Sequence, residues 1–132
     1  MKHLPIFAKQ VNAEKYSLRS IDFDIEIEAK KRNIPIQSWG RLDLSKTNHK
    51  NYKFTNDPEA CAILNGIISE EKIHGNIIII WSNADFVEIA SDIKFLQDFT
   101  MEILTEDWDV WIFGENWIVE KYHEGELIFS RN

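Results

Sequence analysis

The segment Asn76–Trp81 (NIIIIW) restricts the fold of this chain more than any other feature of the sequence. Its four consecutive isoleucines are β-branched, and β-branched residues favour strands. The run is almost wholly apolar and lacks the alternation of apolar and polar residues that marks a half-exposed strand. This pattern is typical of a strand covered on both faces. We therefore predict a buried strand here.

The residues after this strand predict a hairpin followed by a helix. Residues 82–84 (SNA) have the composition of a turn, and Asp85–Ile89 (DFVEI) has the pattern of a second strand. Ser91 and Asp92 can cap a helix, because their short polar side chains accept hydrogen bonds from the free N–H groups of the first turn. Apolar residues then recur at helical spacing, and this helix should end near Glu106.

Another helix is predicted before the hairpin and a β-meander after it. Residues 57–59 (DPE) are a helix start, because proline suits the first turn and an acid there faces the positive end of the helix dipole. This helix should end before Gly75. Residues 108–132 divide into three strand-like runs, with turn signals at residues 114–116 and 123–125.

The stretch 21–28 (IDFDIEIE) alternates four carboxylates strictly with four apolar residues. A period of two favours a strand with one buried face, although the residues from Glu26 onward would also be acceptable in a helix. Same-face neighbours on a strand lie about 6.6 Å apart, so these acids cannot converge on one metal ion. We predict a strand whose solvated face carries Asp22, Asp24, Glu26 and Glu28.

The elements together indicate an α+β fold. Residues 40–56 are polar, basic and turn-rich, and predict a loop with one short strand. A chain of 132 residues without linkers or repeats is expected to form a single domain over residues 1–132. Two helices and five or six mostly antiparallel strands make an α+β domain. We expect the β-meander to lie in this sheet and the two helices to pack on one of its faces.

The net charge of −7 is distributed unevenly along the chain. Residues 1–66 carry 11 basic and 8 acidic side chains, whereas residues 67–132 carry 4 basic and 14 acidic ones. An acidic chain is repelled by the phosphates of nucleic acids and attracted to basic partners. The charge pattern therefore favours a basic protein partner for the second half.

Nothing in the sequence indicates an oxidising compartment or a membrane. Cys61 is the only cysteine, so no internal disulfide can form, and we expect it to be a small core residue of its helix. The first residues lack a signal-peptide core, and no apolar stretch approaches the roughly 20 residues that a membrane helix needs. We expect a cytoplasmic protein.

No strong catalytic, metal-binding or cofactor-binding motif occurs in the sequence. The four histidines lack zinc-site spacing, and the five glycines form no phosphate-binding loop. We therefore expect neither a metal nor a cofactor. Glu120 and His123 lie close enough in sequence to act as a general acid and base, although a polar hairpin tip explains them equally well.

The last 28 residues contain the most informative cluster. Trp108, Trp111 and Trp117 stand there among a cluster of carboxylates. Strand alternation places Trp108 and Trp111 on opposite faces, so one of them is expected to be exposed unless all three tryptophans are core. An exposed tryptophan ringed by acids is typical of an interface hot spot with a charged rim. The predicted partner-binding residues are Asp107, Asp109, Trp111, Glu115, Trp117, Glu120, Glu124 and Glu126.

The runs IIIIWSNADFVEI and DVWIFGENWIVEKYHEGELIFS, with the helix between them, resemble the immunity proteins of bacterial contact-dependent growth inhibition and related polymorphic toxin systems. The resemblance covers residues 76–132. It implies a small cytoplasmic domain without catalytic activity, which binds one cognate toxin and blocks its active site. Toxins of these systems are often basic nucleases, which would match the acidic second half. The resemblance assigns no individual site residues.

We therefore expect an immunity protein that covers the active site of a basic nuclease toxin. It should be a monomer or a weak dimer and bind no nucleic acid, membrane or cofactor. Two alternatives remain: a small enzyme that uses Glu120 and His123, and an acidic nucleic-acid mimic that inhibits a DNA-binding protein. An apolar pocket around His123 would favour the enzyme, whereas a flat acidic face would favour either inhibitor.

Overall fold

The computed structural model describes residues 2–37 and 41–131. Within these ranges the chain forms six helices and seven strands. The helices are α1 (Ile6–Lys9), α2 (Ala13–Tyr16), α3 (Ile25–Lys31), α4 (Asp57–Glu70), α5 (Ile93–Asp98) and α6 (Thr100–Thr105). The strands are β1 (Arg19–Ile21), β2 (Asn48–Lys53), β3 (Asn76–Trp81), β4 (Glu88–Asp92), β5 (Val110–Phe113), β6 (Trp117–Tyr122) and β7 (Glu126–Arg131).

All seven strands form one sheet in the order β1-β4-β3-β5-β6-β7-β2, and every neighbouring pair is antiparallel. The predicted hairpin is β3–β4, and the predicted meander is β5–β6–β7. Both are confirmed, as is the α+β class, although β4 lies three residues later than the predicted strand Asp85–Ile89. The short strand predicted in the basic segment is β2, which pairs with β7 at the edge of the sheet. Residues 38–40, where that segment was predicted to begin, lie outside the described residues.

Strand β3 lies inside the sheet and is covered on both faces, as its sequence predicts. Ile77, Ile79 and Trp81 point into a larger core on one face. Ile78 and Ile80 are half-buried against a smaller core on the other face. An unbroken apolar run suits this position, because a polar residue on either face would lose its contact with water.

The larger core is built by the two helical regions that the sequence predicts, together with the unpredicted α1 and α2, which supply Ala8 and Tyr16. Leu64 of α4, Leu96 of α5 and Ile103 of α6 are fully buried there. The second region is two helices, because the backbone leaves helical geometry at Phe99 (φ −125°, ψ 33°). Cys61 is half-buried at the margin of this core. No helix in the described ranges is long and apolar enough to cross a membrane.

The smaller core covers the opposite face and involves a helix that the sequence analysis did not predict. Helix α3 supplies the buried Ala29, and the segment after it supplies Ile34, Leu42 and Leu44. These residues pack on a sheet surface that consists of Trp111, Phe113, Ile118 and Ile128. The sheet is therefore covered by helical layers of unequal size on its two faces.

The strand predicted over residues 21–28 is wrong beyond Ile21, which ends β1. Asp24 is the N-cap of α3, and its carboxylate accepts hydrogen bonds from the backbone N–H groups of Glu26 and Ile27. Glu28 then pairs with Arg32 one turn later, at 2.8 Å. These local bonds are available only in a helix, and together they outweigh the alternating pattern that favoured a strand.

The cap of α3 leads to a first prediction. Replacing Asp24 with alanine removes the acceptor for two N–H groups, so the free energy of unfolding should fall by about 1 kcal/mol. Urea denaturation of the purified protein measures this change. Asp22→Ala is the matched control, because Asp22 is also exposed but does not cap the helix. Equal stability of the two variants would contradict the capping role of Asp24.

Candidate partner interface

The segment between α6 and β5 forms a surface at one end of the sheet and presents an exposed tryptophan. The side chain of Trp108 is 71% exposed, the largest such value for an aromatic residue in the described part of the chain. Burial of so large an aromatic side chain against a partner would contribute strongly to binding. Trp108 is therefore the first residue to consider for binding.

Asp107 holds this segment against the neighbouring turn of the β3–β4 hairpin. Its carboxylate accepts hydrogen bonds from the Ser82 hydroxyl (2.8 Å) and from the backbone N–H of Asn83. It also accepts a bond from the backbone N–H of Trp108, at 2.8 Å. The backbone that carries Trp108 is thus tied to the sheet and does not hang as a free loop.

Asp109 ties the same segment to the turn between β6 and β7. One carboxylate oxygen of Asp109 accepts a hydrogen bond from the backbone N–H of His123 (2.8 Å) and lies 2.9 Å from Nδ1 of the His123 ring. The His123 ring in turn lies against the indole of Trp108, with a centroid distance of 5.2 Å. These contacts restrict the indole from one side and leave its other side in solvent.

A buried lysine supports the segment from beneath. Lys121 lies on β6 and points towards the larger core, where its ammonium group donates to the carbonyl oxygens of Leu104 (2.9 Å) and Trp108 (3.3 Å). The Leu104 carbonyl belongs to the last turn of α6, whose partial negative charge stabilises a cation. Lys121 therefore connects the end of α6 to the residue that presents the exposed indole.

Four carboxylates flank Trp108 and its contact residue His123 in the sequence, namely Glu106, Asp107, Asp109 and Glu124. Burial, followed by the charge of Asp107, raises the pKa of Glu106. A cation placed beside Glu106 would favour its charged form. We call this region the Trp108 surface, and it consists of Glu106, Asp107, Trp108, Asp109, His123 and Glu124.

The structure overturns the expectation that Trp111 and Trp117 contact a partner. Trp111 is only 9% exposed and Trp117 only 4%. Trp111 lies in the middle of the sheet, with β3 on one side and β6 on the other, and the smaller core covers its face. Trp117 packs into the larger core. The alternation along the strands correctly predicted which side chains share a face of the sheet. Both faces are covered, however, by the larger and the smaller core.

Glu120 is also buried and cannot meet a partner. It is 1% exposed and accepts hydrogen bonds from Nε of Arg41 (3.0 Å), the backbone N–H of Leu42 (3.1 Å) and Nε1 of Trp111 (2.6 Å). A buried carboxylate is tolerated only when such donors surround it. Its predicted role in partner binding is therefore wrong, and its role is to hold the segment of Arg41 and Leu42 on the sheet.

The structure separates the remaining predicted contact residues into three places. Asp107, Asp109 and Glu124 lie together at the Trp108 surface. Glu126 bonds to Arg41 and Lys53 near the edge of the sheet (2.7 and 3.2 Å). Glu115 lies in the β5–β6 turn, at the opposite end of the sheet from Trp108. Only the first three remain candidates for one common interface.

The predicted contact set does not include Trp108, Glu106 or His123. Trp108 was recognised as one of two tryptophans with opposite orientations, but the strand pattern alone did not identify the exposed one. The deciding fact is that β5 begins at Val110, so Trp108 precedes the sheet. The acidic turn before a strand of four apolar residues is the signal that points to this boundary.

The pairing of Glu120 with His123 that the enzyme alternative requires is not formed. Glu120 bonds to Arg41 beneath the smaller core, whereas His123 bonds to Asp109 at the surface. Among residues 2–37 and 41–131, no group of three His, Cys, Asp or Glu side chains has the geometry of a metal site. Comparison with protein-family models and with curated proteins finds no match for this chain.

The ion pair of Glu126 generates a pH prediction. The hydrogen bond from Arg41, helped by Lys53, lowers the pKa of Glu126 despite its partial burial. A carboxyl group whose pKa is lower in the folded state stabilises the fold above its unfolded pKa of about 4.3, and this contribution is lost as the pH falls through the folded value. Urea denaturation at neutral pH and below about pH 4 should show this loss.

Glu126→Gln removes the titrating group, so the variant should be less stable at neutral pH and lose less stability on acidification. Glu124→Gln is the control, because Glu124 is exposed and forms no ion pair among the residues described. A Glu126→Gln variant with the pH dependence of the unchanged protein would contradict this role of the pair.

Proposed function

We propose that this protein is an immunity protein that binds a basic toxin domain through the Trp108 surface and thereby blocks the toxin. The observation that carries the proposal is an indole that is 71% exposed yet held by contacts on a supported segment and bordered by carboxylates. The resemblance to immunity proteins over residues 76–132 names the class of partner.

The rigid support of Trp108 favours its use as a contact residue. Binding costs less conformational entropy when the contacting side chain already sits on an ordered backbone. Asp107 and Asp109 supply this order through bonds to two different turns. A large aromatic side chain that becomes fully buried in a partner pocket supplies a large part of the binding free energy.

The charge around Trp108 favours a cationic partner. Glu106, Asp107, Asp109 and Glu124 lie within the last 27 residues, where only Lys121 and Arg131 are basic. Lys121 is buried and already bonded, so it does not neutralise these acids at the surface. A toxin that cleaves nucleic acid needs a positively charged site for its substrate, and an acidic surface of this kind competes for that site.

In this proposal the protein acts in the cytoplasm as a monomer or weak dimer. It uses no metal or cofactor and catalyses no reaction. The test is co-expression with the C-terminal domain of the protein encoded by the reading frame immediately upstream. We expect that domain to be toxic alone, to bind this chain when purified, and to lose toxicity when this chain is present. An upstream product that is harmless or does not bind would refute the proposal.

The role of Trp108 is tested by Trp108→Ala. Loss of a central aromatic contact should raise the dissociation rate and weaken toxin binding by about 2 kcal/mol or more. The side chain is exposed, so the free energy of unfolding should change little. Surface plasmon resonance gives the two rate constants, and urea denaturation checks the fold. A variant that dissociates at the unchanged rate would place the interface elsewhere.

The role of the acids is tested by reversing charge at the two ends of the sheet. Glu106→Lys with Glu124→Lys should slow association with the toxin and weaken its dependence on salt, because steering charges act on the association rate. Glu115→Lys at the opposite end is the control for each single reversal, because it changes the net charge by the same amount as Glu106→Lys or Glu124→Lys alone. If Glu115→Lys slows association as much as either single reversal does, attraction depends on net charge and not on the Trp108 surface.

A further inference from the structure

The opposite end of the sheet contains a cleft that the proposed partner interface does not use. Its volume is about 680 Å³, within the range of small-molecule binding sites. The start of β3, the end of β7 and the β5–β6 turn all border it. We call it the basic cleft, and the lining residues that concern its chemistry are Arg19, Arg32, Lys72, Glu115, Trp117 and Arg131.

The cleft is rich in cations although the chain as a whole is acidic. Four of its lining side chains are basic and one, Glu115, is acidic, whereas the whole chain has a net charge of −7. Arg32 and Arg131 are also paired with Glu28 and Glu71. Arg19 and Lys72 form no ion pair among the described residues and are exposed. These two cations can therefore turn towards an anionic ligand.

Trp117 provides an independent sign of a ligand. It is 96% buried, but no described residue accepts a hydrogen bond from its indole Nε1–H. The corresponding groups of Trp81 and Trp111 are both bonded, to Ile103 and Glu120. Trp117 lines the basic cleft, and an indole N–H without an acceptor among the described residues can donate to a ligand bound there.

The position of Gly114 shows where this nitrogen lies. A Cβ atom at Gly114 would collide with Nε1 of Trp117, so the indole edge lies directly over the glycine backbone. Both residues line the basic cleft. The indole nitrogen therefore lies at the β5–β6 turn that borders the cleft.

Arg32 is held at the same turn in a fixed orientation. Its guanidinium donates to the carbonyl oxygens of Gly114 (2.6 Å) and Trp117 (3.3 Å) and stacks on the ring of Phe113 at 5.1 Å. Each terminal nitrogen of an arginine carries two hydrogens, so these bonds leave further N–H groups unused. The turn thus places a cation beside the indole N–H without the cost of ordering a flexible side chain.

We propose that the basic cleft binds a small molecule that carries a phosphate group. The Nε1–H of Trp117 and the remaining N–H groups of Arg32 donate to phosphate oxygens, and Arg19 and Lys72 close over the anion from the rim. A phosphate group has three strong acceptor oxygens and about two negative charges, which suits several donors better than a single carboxylate does. This site is separate from the Trp108 surface and does not depend on the proposed toxin partner.

The experiment is a titration of the purified full chain with inorganic pyrophosphate, followed by calorimetry and by the indole N–H signals in ¹H–¹⁵N spectra. The Trp117 signal is assigned as the one that disappears in Trp117→Phe. We expect saturable binding with a dissociation constant below about 1 mM and a shift of the Trp117 signal. Arg19→Ala with Lys72→Ala should weaken binding at least about tenfold, the effect of losing one charge-assisted hydrogen bond.

Lys9→Ala is the control, because it removes an exposed charge on α1 and should leave pyrophosphate binding unchanged. Thermal denaturation verifies that each variant is folded. Absence of saturable binding overturns the proposal, as does equal weakening by Lys9→Ala. Citrate is titrated in parallel, and tighter binding of citrate than of pyrophosphate would overturn the assignment to phosphate. A Trp117 signal that does not move while pyrophosphate binds would place the anion elsewhere.

Discussion

The smaller core depends on one set of interactions, the hydrogen bonds that the buried carboxylate of Glu120 accepts. This carboxylate lies within the sheet and joins β5, through Trp111, to the segment of Arg41 and Leu42. Arg41 also reaches Glu126 and stacks on Tyr122, so one cation links three side chains of the meander to the covering layer. A buried carboxylate without these donors would greatly destabilise the fold. The sheet therefore needs the covering segment that supplies them.

The antiparallel sheet places different chemistry at its two ends. The turns that follow β3 and β6 lie at the end where β5 begins, and this end presents Trp108 with its carboxylates. The turn between β5 and β6 lies at the other end, together with the end of β7, and this end carries the cations of the basic cleft. Trp111, Glu115 and Trp117 therefore do not share one surface, although they lie close together in the sequence.

Short-range sequence patterns predicted the helices and strands correctly in segments where only one pattern was present. The isoleucines of β3, the DPE start of α4 and the turn-separated runs of the meander specify their elements through short-range preferences. The stretch 21–28 had two competing patterns, alternation and a capped helix with Lys30 and Lys31 in its last turn. Alternation looked stronger in the sequence, but the hydrogen bonds from Asp24 and the contacts of Ala29 with the sheet favour the helix.

The sequence by itself determined the α+β class, the hairpin, the meander and the concentration of acids in the second half, because these depend on local preference and composition. The tertiary structure decided which of the C-terminal aromatic and acidic residues are exposed. Trp108, Trp111 and Glu120 all lie within residues 108–120, yet one lies in solvent and two lie beneath the Arg41–Leu42 segment. Exposure depends on which distant segment covers a residue, and contacts between segments so far apart in the chain leave no local pattern in the sequence.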